Sequence, residues 1–159
     1  MSRAFVNEDD QREVPFVPPR ADLPDGVPNY VTHFGMDALQ KEKEELLAEL
    51  KTLTAGNEQD RENAITVVNN RMQMLENRIN SAQIVEPDNK SEGEIRFGAI
   101  ILLEIGGMNK TQKFQIVGVD EADLKKGKIA FTSPLAKMLM HKKAGECATL
   151  KLAQGDRVF

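Results

Sequence analysis

Two heptad stripes separated by a short acidic segment constrain the fold of this chain more than any other feature of its sequence. Both stripes step alternately by three and four residues, the spacing that keeps a seam on one side of a helix. Residues 54–63, between the stripes, contain Gly56 and the carboxylates Glu58, Asp60 and Glu62. The stripes are Met36, Leu39, Lys43, Leu46, Leu50, Leu53 and Ile65, Val68, Met72, Leu75, Ile79, Ala82. The pattern predicts an antiparallel coiled-coil helical hairpin that carries acidic groups at its far end.

Local signals set the expected helix ends. Thr32 is a favourable N-cap, and the first helix is predicted to run to about Thr54. Asp60 is the expected cap of the second helix, with Asn63 as an alternative. That helix is predicted to continue to about Val85, because Pro87 cannot extend it.

The first 31 residues form a proline-rich leader that holds five of the seven prolines of the chain. Proline lacks an amide donor and restricts the residue before it, so neither a helix nor a strand ladder is favoured here. The leader is predicted to be extended or disordered. A linker without function and an arm that docks along the hairpin both remain open.

From residue 92 onward the pattern changes to β, which gives the chain an α+β fold class. Strands are predicted within 94–105, 111–119, 128–132 and 146–152, with a further edge strand within 154–159. Ser133 followed by Pro134 is a strong helix start. The C-terminal domain is therefore expected to be a small antiparallel sheet with one short helix. The predicted division is a leader over 1–31, a hairpin over 32–86 and a sheet domain over 92–159.

Composition narrows the function classes. The net charge is −4, and the part from Glu92 onward carries +3, too little to make a nucleic-acid binder by charge alone. The single cysteine, Cys147, excludes an internal disulfide and is expected to pack in a strand. No apolar run reaches the ~18 residues that a membrane span needs, and Met1 is followed by polar and acidic residues. We expect a cytoplasmic protein without membrane contact. Phosphate-binding loops, catalytic triads and zinc spacings are absent from the sequence, so no cofactor of its own is predicted.

Several strings in the second half resemble the C-terminal domain of bacterial Gre-type (GreA/GreB family) transcript cleavage factors. They are residues 115–123, Lys125-Lys126-Gly127, residues 133–136, Phe97-Gly98 and Ala144-Gly145-Glu146. Upstream, Thr32 and Gly35, residues 62–64 and residues 81–85 are similar as well. The opening residues 1–5 and the proline-rich leader resemble a divergent, short-arm GreB-like subgroup.

The resemblance implies a concrete function. Such a factor is a transcription elongation factor that binds RNA polymerase with an FKBP-like domain at the rim of the secondary channel, and its coiled coil enters that channel. Acids at the coiled-coil tip then help to hold a Mg²⁺ ion shared with the polymerase, and a backtracked transcript is cut. The implied tip acids are Glu62, Asp60 and Glu58, of which Glu62 and Asp60 are the implied metal ligands in the complex. The factor itself would not be an enzyme.

Two departures from the family pattern keep an alternative open. Gln59 stands where the family has an aspartate, and a neutral amide is a poor ligand for a hard cation. Both arms are also shorter than the family pattern by about two helical turns, or ~10 Å. The alternative is a regulator that occupies the channel and slows the polymerase without assisting cleavage.

The resemblance also implies a partner surface on the sheet domain. Ser133, Pro134 and Thr132 are the expected contacts with RNA polymerase, and Lys125 and Lys126 are candidates for contact with the polymerase or the nascent RNA. A minor alternative is an FKBP-like interaction or isomerase module, which would need an aromatic cleft. Another is a self-associating coiled-coil adaptor, but we expect a monomer.

Overall fold

Two helices packed against each other form the first half of the chain. The structure, a computed structural model, describes residues 15–53, 56–86, 93–152 and 155–159. Helix α1 spans His33–Thr52, and helix α2 spans Glu58–Ser81. As predicted, Thr32 caps α1, and its hydroxyl oxygen accepts a hydrogen bond from the Gly35 amide at 3.0 Å.

The ends of α2 differ from the sequence prediction. Neither Asp60 nor Asn63 caps it, because Asn57 accepts a hydrogen bond from the Asp60 amide at 2.8 Å and the helix begins at Glu58. The helix also ends at Ser81 rather than near Val85. The reason is tertiary, since the next residues form strand β2, Ala82–Ile84. Their backbone groups bond to a neighbouring strand and do not continue the helix.

The helices are antiparallel and bury the predicted seam. Lys43 pairs with Glu76 at 3.4 Å, and Arg71 pairs with Glu49 at 3.5 Å, so residue numbers rise on one helix as they fall on the other. The buried cluster of the hairpin consists of Val31, Leu39, Leu46, Val68 and Leu75. Apolar burial along this seam stabilises two helices whose exposed faces are strongly polar.

A short parallel ladder closes the open end of the hairpin. Strand β1, Asn29–Val31, lies in the predicted leader and pairs with β2. The buried Asn29 side chain donates to the Arg78 carbonyl at 2.9 Å and to the Ser81 hydroxyl at 3.2 Å. These bonds fasten the chain before α1 to the end of α2.

The sheet of the second half is mixed, not antiparallel as the sequence analysis predicted. Strands β3, Ile100–Ile105, and β4, Lys110–Val117, form an antiparallel pair. Strand β5, Lys128–Ala130, pairs parallel to the last three residues of β4, because segment 118–127 turns back far enough to place Lys128 beside Gln115. A 3₁₀ turn, Leu124–Lys126, lies in this crossover.

One short helix and a second strand pair complete the domain. Helix α3 spans Pro134–Leu139, and Ser133 is its N-cap, as predicted. Strands β6, Thr149–Leu152, and β7, Gly155–Val158, are antiparallel, which confirms the expected edge strand. The core residues of this half are Leu103, Phe114, Ile116, Ile129, Ala136, Leu139 and Ala148. Cys147 is exposed, so its predicted packing role is wrong; the adjacent Ala148 is buried instead.

Candidate functional site

The tip of the hairpin carries all three predicted acids in the first turns of α2. Glu58, Asp60 and Glu62 are exposed there. The Asn57 cap sets the start of the helix and hence the direction in which each carboxylate projects. Negative groups at this end also interact favourably with the helix dipole.

Helix geometry divides the three acids into a pair and a single residue. Successive residues turn by about 100°, so Glu58 and Glu62 share a face while Asp60 lies roughly on the opposite side. Glu58 and Glu62 line a tip cavity of about 340 Å³ together with Arg61 and Ile65, and Asp60 does not line it. The structure therefore brings Glu58 and Glu62 together and separates Asp60 from both.

Gln59 and Asn63 occupy a third direction on the tip. The Gln59 amide donates to the Asn63 side-chain oxygen at 3.2 Å. Asn63, considered above only as a cap, is thus the partner of Gln59. The position where the family pattern has an aspartate is occupied by a neutral, internally bonded pair.

The tip and the contacts of the hairpin with the sheet domain lie at opposite ends of the rod. Arg78, near the end of α2, pairs with Asp120 of the sheet domain at 3.5 Å. Twenty residues separate Glu58 from Arg78, which corresponds to about 30 Å of helix. The hairpin can therefore present its acids far from the surface on which it is anchored.

The sheet domain has an apolar groove beside the predicted partner contacts. Its volume is about 460 Å³. Ser133 and Pro134 lie in its wall, and Leu124, at its edge, is 79% exposed. Thr132 does not line the groove. The other lining residues are Ala122, Asp123, Lys128, Ile129, Ala130, Leu135 and Leu150.

Leu124 was missed in the sequence analysis. The available signal was one apolar side chain in a turn flanked by Asp123, Lys125 and Lys126. The described lining of the groove contains no aromatic side chain. Phe97 and Phe131 instead pack with the Tyr30 ring, at centroid distances of 6.0 and 5.5 Å.

A charged cluster joins the leader, the hairpin and the sheet domain. Arg20 donates two hydrogen bonds to Glu42 of α1, at 2.8 and 3.0 Å, and a third to Asp120 at 3.1 Å. Arg78 donates to the Ala21 carbonyl as well as pairing with Asp120. The Asp120 side chain is only 7% exposed. No local sequence pattern indicates this cluster, because its members are far apart along the chain.

The pairing of Arg20 and Glu42 shifts both pKa values in favour of the charged forms. Its hydrogen bonds with Glu42 raise the pKa of Arg20, against the opposing effect of burial. The same bonds lower the pKa of Glu42. Both groups are therefore ionised at neutral pH, as a charge-assisted bidentate contact requires.

The donor set at the tip fits a supplementary metal ligand and not a complete site. Within the described ranges, three or more histidine, cysteine, aspartate or glutamate side chains nowhere gather closely enough to hold a metal. Glu58 and Glu62 supply two hard oxygen ligands on one face, and a Mg²⁺ ion would need its remaining ligands from elsewhere. None of the helices described here is long and apolar enough to cross a membrane.

Comparison with known proteins finds a family match for the second half of the chain. Residues 90–159 match the family model described as transcription elongation factor, GreA/GreB, C-term. This part of the chain is similar to the GreA/GreB family. The resemblance drawn from its motifs is confirmed at the level of the family, and the GreB-like subgroup stays a prediction.

Curated relatives agree with the GreA/GreB assignment. Transcription elongation factor GreA of Acidiphilium cryptum is 39% identical over 92 residues, covering 58% of this chain and 59% of the relative. The GreA of Ralstonia nicotianae is also 39% identical, with the same two coverages. The chain thus spans about three fifths of the length of these relatives. The crystal structure of the GreA factor homolog 1 (Gfh1) protein of Thermus thermophilus is 22% identical, with a TM-score of 0.38, over 82% of this chain and 94% of that one.

Proposed function

We propose that this chain is an accessory elongation factor that binds RNA polymerase with its sheet domain and inserts its helical hairpin into the secondary channel. The observation that carries the proposal is the pair formed by Glu58 and Glu62, on one face of α2 about 30 Å from the anchored end of the rod. The match of residues 90–159 to the GreA/GreB family model supports the choice of partner.

The apolar groove is the surface we assign to the polymerase. Exposed apolar area of this kind is uncommon on a small domain without a partner. Leu124 projects from its edge, and Ser133 and Pro134 present a rigid helix start in its wall. Leu124 and Pro134 would make the apolar contacts, while the neighbouring Lys128 and Asp123 would fix orientation.

At the other end, Glu58 and Glu62 would act inside the polymerase active site. A Mg²⁺ ion bound there supplies charge stabilisation and an activated water. The chain contributes two carboxylate oxygens as ligands and a stiff support that holds them in place. The polymerase performs the RNA hydrolysis, so this chain is an accessory factor and not an enzyme. A cytoplasmic, monomeric protein is consistent with this role.

A second candidate function follows from Gln59 and Asn63. Their mutual hydrogen bond leaves no anionic oxygen at the position where the family pattern has an aspartate. A hairpin with this tip would occupy the channel and slow nucleotide addition without assisting cleavage. The two candidates share their binding mode and differ only in the chemistry at the tip.

A reconstituted, backtracked elongation complex distinguishes these functions. We expect added protein to shorten the nascent RNA, and Glu62→Gln and Glu58→Gln each to slow that shortening by at least about 10- to 100-fold, the range seen when even a residue that supports a metal ligand is lost. Asp60→Asn is the matched control, because its carboxylate faces away from the pair, and it should stay close to the unchanged protein. Equal losses for Asp60→Asn and Glu62→Gln would contradict the assignment of the pair.

The same assay reports the second candidate. Intact RNA together with slower nucleotide addition would select the channel-blocking function over cleavage. Failure of the full chain to bind purified RNA polymerase would overturn both candidates.

A further inference from the structure

Arg20 connects three parts of the molecule at once. Its guanidinium bonds Glu42 on α1 through both terminal nitrogens and Asp120 of the sheet domain through Nε. Arg20 itself belongs to the segment 15–28, which precedes β1. The side chain is 17% exposed, so these contacts lie in a partly desolvated place where charge-assisted bonds are strong.

The distance of Glu42 from the start of α1 makes its contact with Arg20 effective against tilting of the hairpin. Where α1 begins, the Thr32 hydroxyl donates to the Glu121 carboxylate at 2.6 Å, which holds the helix start on the sheet domain. Glu42 lies ten residues further along α1, or about 15 Å from that point. Contacts at the helix start alone allow the rod to tilt, whereas the contacts of Glu42 with Arg20 and of Arg78 with Asp120, further along the rod, together resist the tilt.

The sheet domain offers Asp120 as a shared anchor for both helices. Its Oδ1 accepts from Arg20 of the segment, and its Oδ2 lies 3.5 Å from Nη1 of Arg78 on α2. Among the residues that the structure describes, neither Asp120 Oδ2 nor Arg78 Nη1 has a hydrogen-bond partner, so the attraction between these two buried atoms is one of charge. Two arginines and the carboxylates of Glu42 and Asp120 make a balanced cluster. Removal of one arginine leaves a buried carboxylate undercompensated.

The local sequence prepares Arg20 for this role. Pro18 and Pro19 precede it and fix their own backbone angle φ, which keeps the chain extended. Less conformational entropy is then lost when the segment lies against the hairpin. Arg78 adds a second attachment by donating to the carbonyl of Ala21.

We propose that residues 15–28 form a strap, and that Arg20 in this strap sets the direction of the hairpin relative to the sheet domain. The consequence for the polymerase rests on the proposed function. Over a rod of about 30 Å, a tilt of about 10° at the base moves the tip by about 5 Å. A displacement of that size would remove Glu58 and Glu62 from a reacting centre. Arg20 is thus a positioning residue.

Double electron–electron resonance, which measures the distance between two spin labels, tests the strap in the free protein. Cys147 is exposed in the sheet domain and provides one labelling site, and Asn70→Cys on the exposed face of α2 provides the other. The otherwise unchanged protein should give one narrow distance distribution. Arg20→Ala should broaden or shift that distribution, with the helical circular dichroism signal retained.

Two further variants separate the effect of the Arg20 hydrogen bonds from the effect of losing a positive charge. Arg20→Lys keeps the charge but cannot bond Glu42 and Asp120 through three nitrogens, so an intermediate distribution is expected. Lys41→Ala is the control, since it removes a cation of α1 whose only described pairing is an exposed one with Glu45 at 4.0 Å, and it should leave the distribution unchanged. An unchanged distribution in Arg20→Ala, even with a lower melting temperature, would overturn the strap.

The polymerase assay supplies an independent measure. If the strap positions the tip, Arg20→Ala should reduce the maximal effect on the elongation complex while the protein concentration for half-maximal effect stays the same. A raised half-maximal concentration with an undiminished maximum would count against positioning. Absence of any effect of the unchanged protein on the polymerase would sink the proposed function and leave the distance result to decide the strap.

Discussion

Gly118 lies directly against the backbone carbonyl oxygen of Tyr30, so closely that a Cβ atom added to the glycine would come within 2.5 Å of that oxygen. The contact joins the end of β4 to β1, and thus the sheet domain to the base of the hairpin. Any side chain at position 118 would force these two backbones apart.

We therefore predict that Gly118→Ala destabilises the protein by about 1–3 kcal/mol, as overpacking against backbone does. Urea unfolding followed by circular dichroism measures the change. Gly106→Ala is the control, because its added methyl would come only within 3.1 Å of its nearest neighbour, the Val158 carbonyl oxygen. Equal costs at the two positions would contradict the close approach of Gly118.

Substitutions of two adjacent leucines in α1 should have very different effects on the stability of the hairpin. Leu46 is 1% exposed and Leu47 is 43% exposed. Leu46→Ala is expected to cost about 2–5 kcal/mol of unfolding free energy, since it leaves a cavity in the seam. Leu47→Ala should cost far less. Similar losses in denaturant unfolding would mean that the two helices do not pack along the described seam.

Asn57 should matter more to α2 than its exposed position suggests. Its side-chain oxygen accepts from the Asp60 amide, so Asn57→Ala should reduce the stability of the protein by about 1 kcal/mol. Thermal unfolding measures this effect. The control is Gln59→Ala, which replaces an exposed residue just inside the helix with a better helix former. A loss in the control as large as that in Asn57→Ala would exclude the cap as its cause.

The pH dependence of stability should carry a contribution from Glu42. Arg20, and more weakly Arg71, lower its pKa in the folded state. This contribution is complete above the ordinary glutamate pKa and is lost as the pH falls through the lowered value. In Glu42→Gln the unfolding free energy should decline less over that acidic interval. Identical declines in the two proteins would show that the pair adds nothing.

The groove prediction concerns the polymerase and depends on the proposed function. Leu124→Asp should weaken binding to RNA polymerase at least tenfold, because it places a charge where apolar area would be buried. Fluorescence anisotropy of a protein labelled at Cys147 measures the affinity. Leu47→Asp, at an exposed position on the hairpin, is the comparison; an equal loss there would argue against a contact specific to the groove.

Several parts of this protein were predictable from local sequence. The hairpin helices, the start of α3 at Ser133 and the existence of strands β3 to β7 follow from periodicity, capping and turn residues. These signals act within one or two helical turns or across one hairpin. The cap of α2 was misassigned because Asn57, Asp60 and Asn63 are all good caps, and residue type alone does not choose among them.

Other features needed the folded molecule. The parallel pairing of β5 depends on the path of segment 118–127, and the early end of α2 depends on β1. The roles of Glu58, Asp60 and Glu62 stay predictions, but their separation into a pair and a single residue follows from where the helix begins.

By itself, the sequence determined a two-helix rod, a separate α+β domain and the similarity of residues 90–159 to the GreA/GreB family, because heptad spacing and contiguous motifs are properties of short segments. Only the tertiary structure decided how the rod is held. Arg20, Glu42, Arg78 and Asp120 are scattered over a hundred residues, and electrostatic attraction between such groups exists only once the chain has folded and brought them together.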